Sequence, residues 1–147
     1  MDRRPSIITS DGTRYGEMRV PGPDWQLDLG SRSMTYIRID HQTRLQFDGV
    51  EIVIGCPFTL QTGNEIFHLD EAQELGPLLG VYPDALETAS VGSDGTLHLR
   101  LERSESIEVQ PDPNYEAWQI NGPGMAVVVC PPGGSPVAVW ADDSDGD

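Results

Sequence analysis

Apolar and polar residues alternate along most of the chain between Trp25 and Trp140. The clearest case runs from Thr96 to Leu101, where leucine occupies every second position. Because successive side chains of a β-strand point to opposite faces, this pattern predicts a strand that is buried on one side. About a dozen such segments follow one another, with turn residues roughly every 8–12 positions. This spacing is typical of a single antiparallel sheet domain curled into a barrel or a sandwich, and the fold class is therefore mainly β.

The expected strands end where Gly, Pro, Asn, Asp or Ser cluster. They cover 25–29, 36–39, 45–47, 50–54, 58–61, 65–69, 86–91, 96–101, 107–109, 115–120, 125–130 and 136–140. Asp48-Gly49 predicts a two-residue hairpin of type I′, because that turn requires positive φ at both central residues. Thr62-Gly63-Asn64 predicts a second hairpin turn.

One short helix is predicted near residues 70–80. Asp70 can cap its start, and Gln73 three residues later completes a capping box. Gly80 is a natural stop. Pro77 lacks the N–H that a second helical turn would use, so the helix should be short or change direction there. The apolar stripe of this helix consists of Leu75, Leu78 and Leu79.

Two hairpins of the chain resemble each other in sequence. The first contains Leu45-x-Phe47, Ile52-x-Ile54 and Pro57, and the second contains Leu99-x-Leu101, Ile107-x-Val109 and Pro111. A duplicated β unit with pseudo-twofold symmetry would explain the similarity. Any two amphipathic hairpins also share such a pattern, and the spacing differs by one residue. We favour this second, simpler explanation.

The alternation stops at both ends of the chain. Residues 1–22 have weak periodicity, so we expect a flexible N-terminal arm that becomes ordered only where it docks. Residues 141–147 are rich in Asp and can bury nothing, so we expect a disordered acidic tail. A β-rich domain is expected over 23–140, since 147 residues suffice for one domain with a core.

Acidic residues dominate the charge. The chain has 24 of them against nine basic residues, all arginine, and its formal charge is −15. The domain over 23–140 itself holds 17 acids and five arginines, so the tail is not the main source. Such a surface repels nucleic acid and anionic membranes, and we expect neither as a partner. The charge favours a basic protein as partner, although it also improves solubility where no partner exists.

The chain contains no long apolar run and no signal-peptide pattern near Met1. We therefore expect a cytoplasmic protein without a transmembrane helix. Cys56 and Cys130 are far apart, and each precedes a proline. In a protein that is not exported, they are expected to be reduced, half-buried thiols, while a disulfide between them stays open as an alternative.

The segment 111–118 is the first place to look for a binding site, because it combines two prolines, two carboxylates and two aromatic rings. In a strand, Glu116 and Trp118 would share one face and Tyr115 would lie on the other. If the first face is exposed, it forms a recognition patch. If it is buried, Trp118 belongs to the core and Glu116 needs a partner such as Arg100. The candidate partner-binding residues are Asp112, Tyr115, Glu116 and Trp118.

The same segment carries a resemblance to a known family. From Trp25 to Trp140 the chain resembles a family of small actinobacterial proteins of unknown function, DUF6188. Its most specific element is Tyr115-Glu116-Ala117-Trp118, and the flanking β pattern is more general. The other matching elements are Gly95-x-Leu97-x-Leu99-x-Leu101, Ile107-x-Val109-x-Pro111 and Pro132-Gly133-Gly134. The resemblance implies no activity and carries over no catalytic residue. Families of this size often include immunity proteins of bacterial toxin systems.

No motif for catalysis, metal binding or a cofactor appears. His41, His68 and His98 are too scattered for a zinc site. No nucleophile elbow, phosphate loop or dinucleotide motif is present. The many neighbouring carboxylates, including those of 70–74 and 102–108, follow from the acidic composition and do not form a calcium loop. We therefore assign no catalytic residue, no metal and no cofactor.

Three functional hypotheses follow. The first is a non-enzymatic acidic binding protein, an immunity or antitoxin-like protein that blocks a basic partner protein. The second is a small hydrolase or ligand-binding β-barrel with an interior carboxylate, for which Glu116 is the candidate. The third is an accessory module, and a homodimer is compatible with each of them. The position of Glu116 distinguishes the first two.

Overall fold

The computed structural model describes residues 6–9, 14–15, 25–29, 31–70, 75–122, 127–134 and 138–140. Its strands are β1 (Ser6–Thr9), β2 (Arg14–Tyr15), β3 (Trp25–Asp28), β4 (Arg32–Ile39), β5 (Thr43–Phe47), β6 (Val50–Ile54), β7 (Phe58–Thr62), β8 (Glu65–Leu69), β9 (Ala85–Val91), β10 (Leu97–Leu101), β11 (Ser106–Val109), β12 (Trp118–Asn121), β13 (Val127–Cys130) and β14 (Ala138–Trp140). A short helix, α1 (Gly76–Leu79), lies between β8 and β9. The prediction of a mainly β fold with one short helix is confirmed.

The described strands all pair in antiparallel fashion. The order along the ladder is β14-β13-β12-β6-β5-β4-β9-β10-β11-β7-β8, and β3 joins it at β9 and carries β1 and β2. Among the described strands, β8 and β14 end the ladder without pairing to each other. Hydrogen bonds between the described strands therefore do not close the sheet into a barrel.

The strand order is symmetric about the pairing of β4 with β9. The meander β4-β5-β6 lies on one side of this pairing and the meander β9-β10-β11 on the other. The strand that follows each meander crosses to the opposite one, because β7 pairs with β11 and β12 pairs with β6. Both β4 and β9 also show a register shift against their hairpin partners, next to Met34 and Leu86 respectively. A duplicated β unit with pseudo-twofold symmetry would produce this arrangement.

One apolar core lies between the two halves of the sheet. The alternation observed in sequence determines which side chains enter it: β10 buries its three leucines and exposes His98 and Arg100. In β5, Leu45 and Phe47 are fully buried. Because both meanders and β12 contribute to a single buried cluster, the two halves pack as layers around it. Among the side chains that the structure describes, the largest fully buried one is Trp118.

The predicted turns and helix are present with one change. Asp48 and Gly49 have φ of 45° and 91°, as a type I′ turn requires. The helix begins at Gly76 with Leu75 as its N-cap, so the predicted cap at Asp70 is wrong. This start places Pro77 in the first turn, where its missing N–H has no intrahelical partner to lose. Residues 71–74, which include the predicted capping-box residue Gln73, lie outside the described part of the chain.

Two of the predicted segments are the ends of the chain, the arm and the acidic tail. Most of the arm predicted over 1–22 lies outside the described residues, but β1 and β2 are part of it, and β1 pairs with β3. The acidic tail predicted over 141–147 lies entirely outside them. In the part of the chain that is described, no helix has the length and apolar character needed to cross a membrane.

Candidate functional site

Trp118 lies in the core. It is 1% exposed and begins β12, where it stands opposite Ile54 of β6 and Cys130 of β13. Its indole Nε1 donates a hydrogen bond of 2.9 Å to the carbonyl oxygen of Gly95. This buried donor is therefore satisfied. Trp118 therefore offers almost no surface to a partner, and it anchors the C-terminal end of the segment 111–118.

Asp112 shapes the loop that precedes β12. Its Oδ1 accepts hydrogen bonds from the backbone N–H groups of Asn114 (2.8 Å) and Tyr115 (3.1 Å). Its backbone carbonyl accepts a further bond of 2.8 Å from the N–H of Gly133. This is an Asx turn that is fastened to the loop after β13. Asp112 thus shapes its own loop through Oδ1 and ties it to the loop after β13 through its backbone carbonyl.

Tyr115 and Glu116 lie outside the core and are exposed, and Tyr115 is exposed to 67%. The predicted strand over 115–120 begins only at Trp118, so the alternation predicted for Tyr115, Glu116 and Trp118 is wrong. The reason is the Asx turn, which bends the backbone just before the strand. As a result, Tyr115 and Glu116 are neighbours on the surface while Ala117 and Trp118 are buried.

Glu116 borders a depression on the outer face of the sheet, which we call the Glu116 depression. Its lining is mostly polar and consists of Gln42, Arg44, Glu51, Val53, Gly55, Glu116, Trp118, Gln119 and Asn121. The side chains come from β5, β6, β12 and the turn before β5. Glu116 makes no hydrogen bond or ion pair to another described residue, and Arg100 instead pairs with Glu87 at 3.3 Å. The expected pairing of Glu116 with Arg100 is therefore wrong.

A hydrogen-bonded network forms the opposite wall of the Glu116 depression. Glu51 Oε1 lies 3.3 Å from Nη1 of Arg44, and Glu51 Oε2 accepts a bond of 3.1 Å from the hydroxyl of Tyr36. This bond to the carboxylate raises the pKa of the Tyr36 hydroxyl. Arg44 Nη2 also reaches Gln42 Oε1 at 3.4 Å. The Arg44 guanidinium thus offsets the charge of Glu51, whereas Glu116 has no cationic partner among the described residues.

A second depression adjoins the first at Gly55 and Gln42. Its lining includes Asp40, His41, Cys56 and Asp70. Gly55 separates the two: a Cβ atom there would lie 3.0 Å from the carbonyl oxygen of Glu116 and 3.3 Å from Gln42 Nε2. Glycine at this position therefore lets the Glu116 backbone approach β6 closely.

The described arginines leave most of the acidic charge uncompensated. Arg38 pairs with Asp40, Arg44 with Glu51, Arg100 with Glu87 and Arg103 with Asp84. Several exposed carboxylates have no arginine within ion-pair distance in the part of the chain that the structure describes. They are Glu65, Asp70, Asp94, Glu102 and Glu116. The arginine–carboxylate pairs named above are mostly exposed, so they contribute little to stability. Their main effect is on the surface potential.

Both cysteines are free thiols near the 110–117 loop. Cys56 Sγ lies 3.7 Å from the carbonyl oxygens of Gln110 and Ala117, and Cys130 Sγ lies 3.5 Å from that of Gly95. Burial raises the pKa of each thiol to about 11, and the Asp112 carboxylate adds to the effect at Cys56. A thiol with such a pKa is unreactive at neutral pH.

The histidines do not converge. His98 Nδ1 lies 3.3 Å from Glu108 Oε2 across the β10–β11 hairpin, and His41 and His68 are exposed elsewhere. Among the described residues, no three His, Cys, Asp or Glu side chains are placed to hold a metal ion.

Sequence reasoning identified the loop but not the depression beside it. Asp112, Tyr115 and Glu116 were found because they lie close together in sequence. Arg44 and Glu51 were missed, since only the pairing of β6 with β12 brings them beside Glu116. Charged residues at outward positions of adjacent strands were the one available signal for them.

Comparisons with known proteins give a family and no function. The model of a family of unknown function, DUF6188, matches residues 25–141. The chain matches no curated protein and no solved structure. The resemblance expected from the Tyr115–Trp118 segment is thus confirmed.

Proposed function

We propose that this chain, which belongs to the family of unknown function DUF6188, is a non-enzymatic binding protein that docks on a basic partner protein. The contact surface is the exposed pair Tyr115 and Glu116 together with the Glu116 depression. An immunity or antitoxin-like role, in which the partner is a basic toxin that becomes blocked, is the specific form we favour. The family assignment leaves this role open.

The observation that best supports this proposal is that Tyr115 is exposed on a segment whose backbone is held in place. An exposed tyrosine usually loses conformational freedom when it binds, but the backbone around this one is already fixed by the Asp112 carboxylate on one side and by buried Trp118 on the other. Because this backbone is already ordered, binding costs less conformational entropy than it would in a flexible loop. Tyrosine is also among the residues that concentrate binding energy at interfaces.

Charge supports the choice of partner. Glu116 stands beside Tyr115 without an ion pair to a described residue, since Arg44 of the same depression pairs with Glu51. The amide side chains of Gln119 and Asn121 line the depression as well. A lysine or arginine side chain of a partner would find a carboxylate and several oxygen acceptors there. The overall charge of −15 would accelerate the approach of a basic partner protein at low salt.

The hydrolase or ligand-binding barrel receives less support. That hypothesis requires an interior carboxylate, whereas Glu116 is exposed at the rim of an open depression. The described strands also leave the barrel unclosed. The binding hypothesis is therefore the better supported of the two.

The test is direct binding to basic proteins encoded beside the gene, each purified and measured by biolayer interferometry at low and high salt. For a true partner, Tyr115→Ala should weaken the affinity by about 30-fold, as for a typical hot spot. Glu116→Gln should lower mainly the association rate and its salt dependence. Glu65→Gln, which removes an equally exposed carboxylate from β8, is the matched control and should bind like wild type.

The results can contradict the proposal in two ways. If none of the neighbouring basic proteins binds, the antitoxin-like role is wrong. If one binds but Tyr115→Ala and Glu116→Gln retain the wild-type affinity, the contact surface is wrong.

A further inference from the structure

A small cavity borders the apolar core beside the Glu116 depression. It is the second depression described above, and it encloses about 150 Å³. Three of the residues that line it, Ile54, Phe58 and Leu75, are buried members of the core. Ordinary ligand pockets enclose roughly 300–1,000 Å³. The second depression therefore suits a group of a few heavy atoms rather than a whole cofactor.

One buried hydroxyl group that lines this cavity has no hydrogen-bond partner in the described part of the chain. It belongs to Thr43, which begins β5 and is only 7% exposed. Thr43 shares the inward face of β5 with Leu45 and Phe47, so it is the polar member of an apolar row. A buried hydroxyl without a hydrogen bond is unfavourable. A group bound in the cavity would gain stability by supplying the missing bond.

The charges around the cavity favour a cation. Of the described residues that line it, none is an arginine, and two are aspartates. Asp40 is paired with Arg38 at 3.4 Å, and its Oδ1 accepts a hydrogen bond of 3.0 Å from the N–H of Gln42. Asp70 is exposed and has no arginine within ion-pair distance among the described residues. His41 also lines the cavity and would compete with a bound cation when it is protonated.

We propose that the second depression binds a primary ammonium group on a short alkyl chain. Asp70 supplies the counter-ion, and the Thr43 hydroxyl accepts a hydrogen bond from the ammonium. The alkyl chain packs on Phe58 and Leu75. An ammonium carries three donors on a compact group, whereas a guanidinium presents five in a planar fork and needs more acceptors and more space. The small volume and the few acceptors of this cavity therefore select the ammonium.

Two sources can supply this group. One is a free aliphatic amine. The other is a lysine side chain of a partner protein, because the second depression adjoins the Glu116 depression at Gly55 and Gln42. A partner docked on Tyr115 and Glu116 would bring its neighbouring side chains close to the cavity. The ammonium site does not depend on the proposed function, since a free amine fills it without any partner protein.

The test is a titration of the isotope-labelled chain followed by two-dimensional NMR. A salt concentration of about 0.15 M screens non-specific attraction to the acidic surface. The probes are n-butylamine, its neutral counterpart n-butanol, and lysine blocked at both ends as N-acetyl-lysine methylamide. n-Butylamine should shift the backbone signals of Thr43 and Gly55 saturably, with a dissociation constant of about 1–10 mM. n-Butanol should cause no saturable shift of these signals.

Two variants identify the residues that hold the ammonium. Thr43→Val keeps the shape of the side chain but removes the hydroxyl, and it should weaken n-butylamine binding by about tenfold. Asp70→Asn should weaken it by about three- to fivefold, because the ion pair of an exposed carboxylate is screened by water. Glu65→Gln removes an exposed carboxylate at the opposite end of β8. This matched control should bind n-butylamine like wild type.

The ammonium site is wrong if n-butylamine causes no saturable shift of Thr43 and Gly55, or if n-butanol binds equally well. Wild-type affinity in both Thr43→Val and Asp70→Asn contradicts it as well. If the blocked lysine binds at least as tightly as n-butylamine, the source is a lysine side chain. If n-butylamine binds and the blocked lysine does not, the source is a free amine. Either of these last two results supports the site, whether or not a partner protein is found.

Discussion

The indole nitrogen of Trp118 lies 2.9 Å from the carbonyl oxygen of Gly95, and this bond connects the two halves of the protein. Trp118 belongs to β12, which pairs with the first meander, whereas Gly95 turns the chain between β9 and β10 of the second. The loop that contains Gly134 packs on the same turn. The segments that carry the family resemblance therefore meet at one structural point. Packing therefore accounts for the buried half of the Tyr115–Trp118 element, Ala117 and Trp118.

Replacing Trp118 tests the strength of this connection. Trp118→Phe removes the donor to Gly95 and leaves a cavity in the core, so we expect a loss of about 2–4 kcal/mol in the free energy of unfolding. Urea denaturation provides the measurement. Tyr115→Phe changes an exposed aromatic residue nearby and should stay within about 0.5 kcal/mol of wild type. A Trp118→Phe protein as stable as wild type would show that the bond to Gly95 contributes nothing.

Gly133 and Gly134 form a matched pair for testing the loop contact. Both have φ of 84°, so an alanine at either position is strained in the backbone. A Cβ atom on Gly133 meets nothing within 4 Å, but one on Gly134 would overlap Pro111 and the carbonyl oxygen of Asp94. We expect Gly133→Ala to cost about 1 kcal/mol and Gly134→Ala clearly more, by about 1–3 kcal/mol. Equal melting temperatures of the two variants would contradict this contact.

The two thiols should make the protein sensitive to alkaline pH. Because burial raises the pKa of Cys56 and Cys130 to about 11 in the folded state, unfolding releases their protons more easily. Their contribution to stability is present below the ordinary thiol pKa and is lost as the pH rises toward about 11. At about pH 8, iodoacetamide should label both thiols slowly in the native protein and quickly in urea. Fast labelling of the native protein would show that the thiols are accessible.

Much of the site depends on contacts that no local pattern encodes. Asp112, Tyr115 and Glu116 could be proposed from sequence because they are neighbours in the chain, but the separation of buried Trp118 from exposed Glu116 could not. The Asx turn before β12 shifts the alternation between inward and outward side chains. A shift of one residue moves a side chain to the other face of the sheet.

The sequence by itself determined the mainly β class, the type I′ turn at Asp48-Gly49 and the inward positions of strands such as β10. These properties depend on a few adjacent residues, since alternation and turn geometry are local. Only the tertiary structure decided which strands pair, and so revealed the exchange of β7 and β12 between the two meanders. It also placed Arg44 and Glu51 beside Glu116. Pairing between strands that are far apart in sequence depends on how whole strand faces bury their apolar area together. Many hairpins with the same local alternation could bury that area equally well, so the local pattern does not select the partner strand.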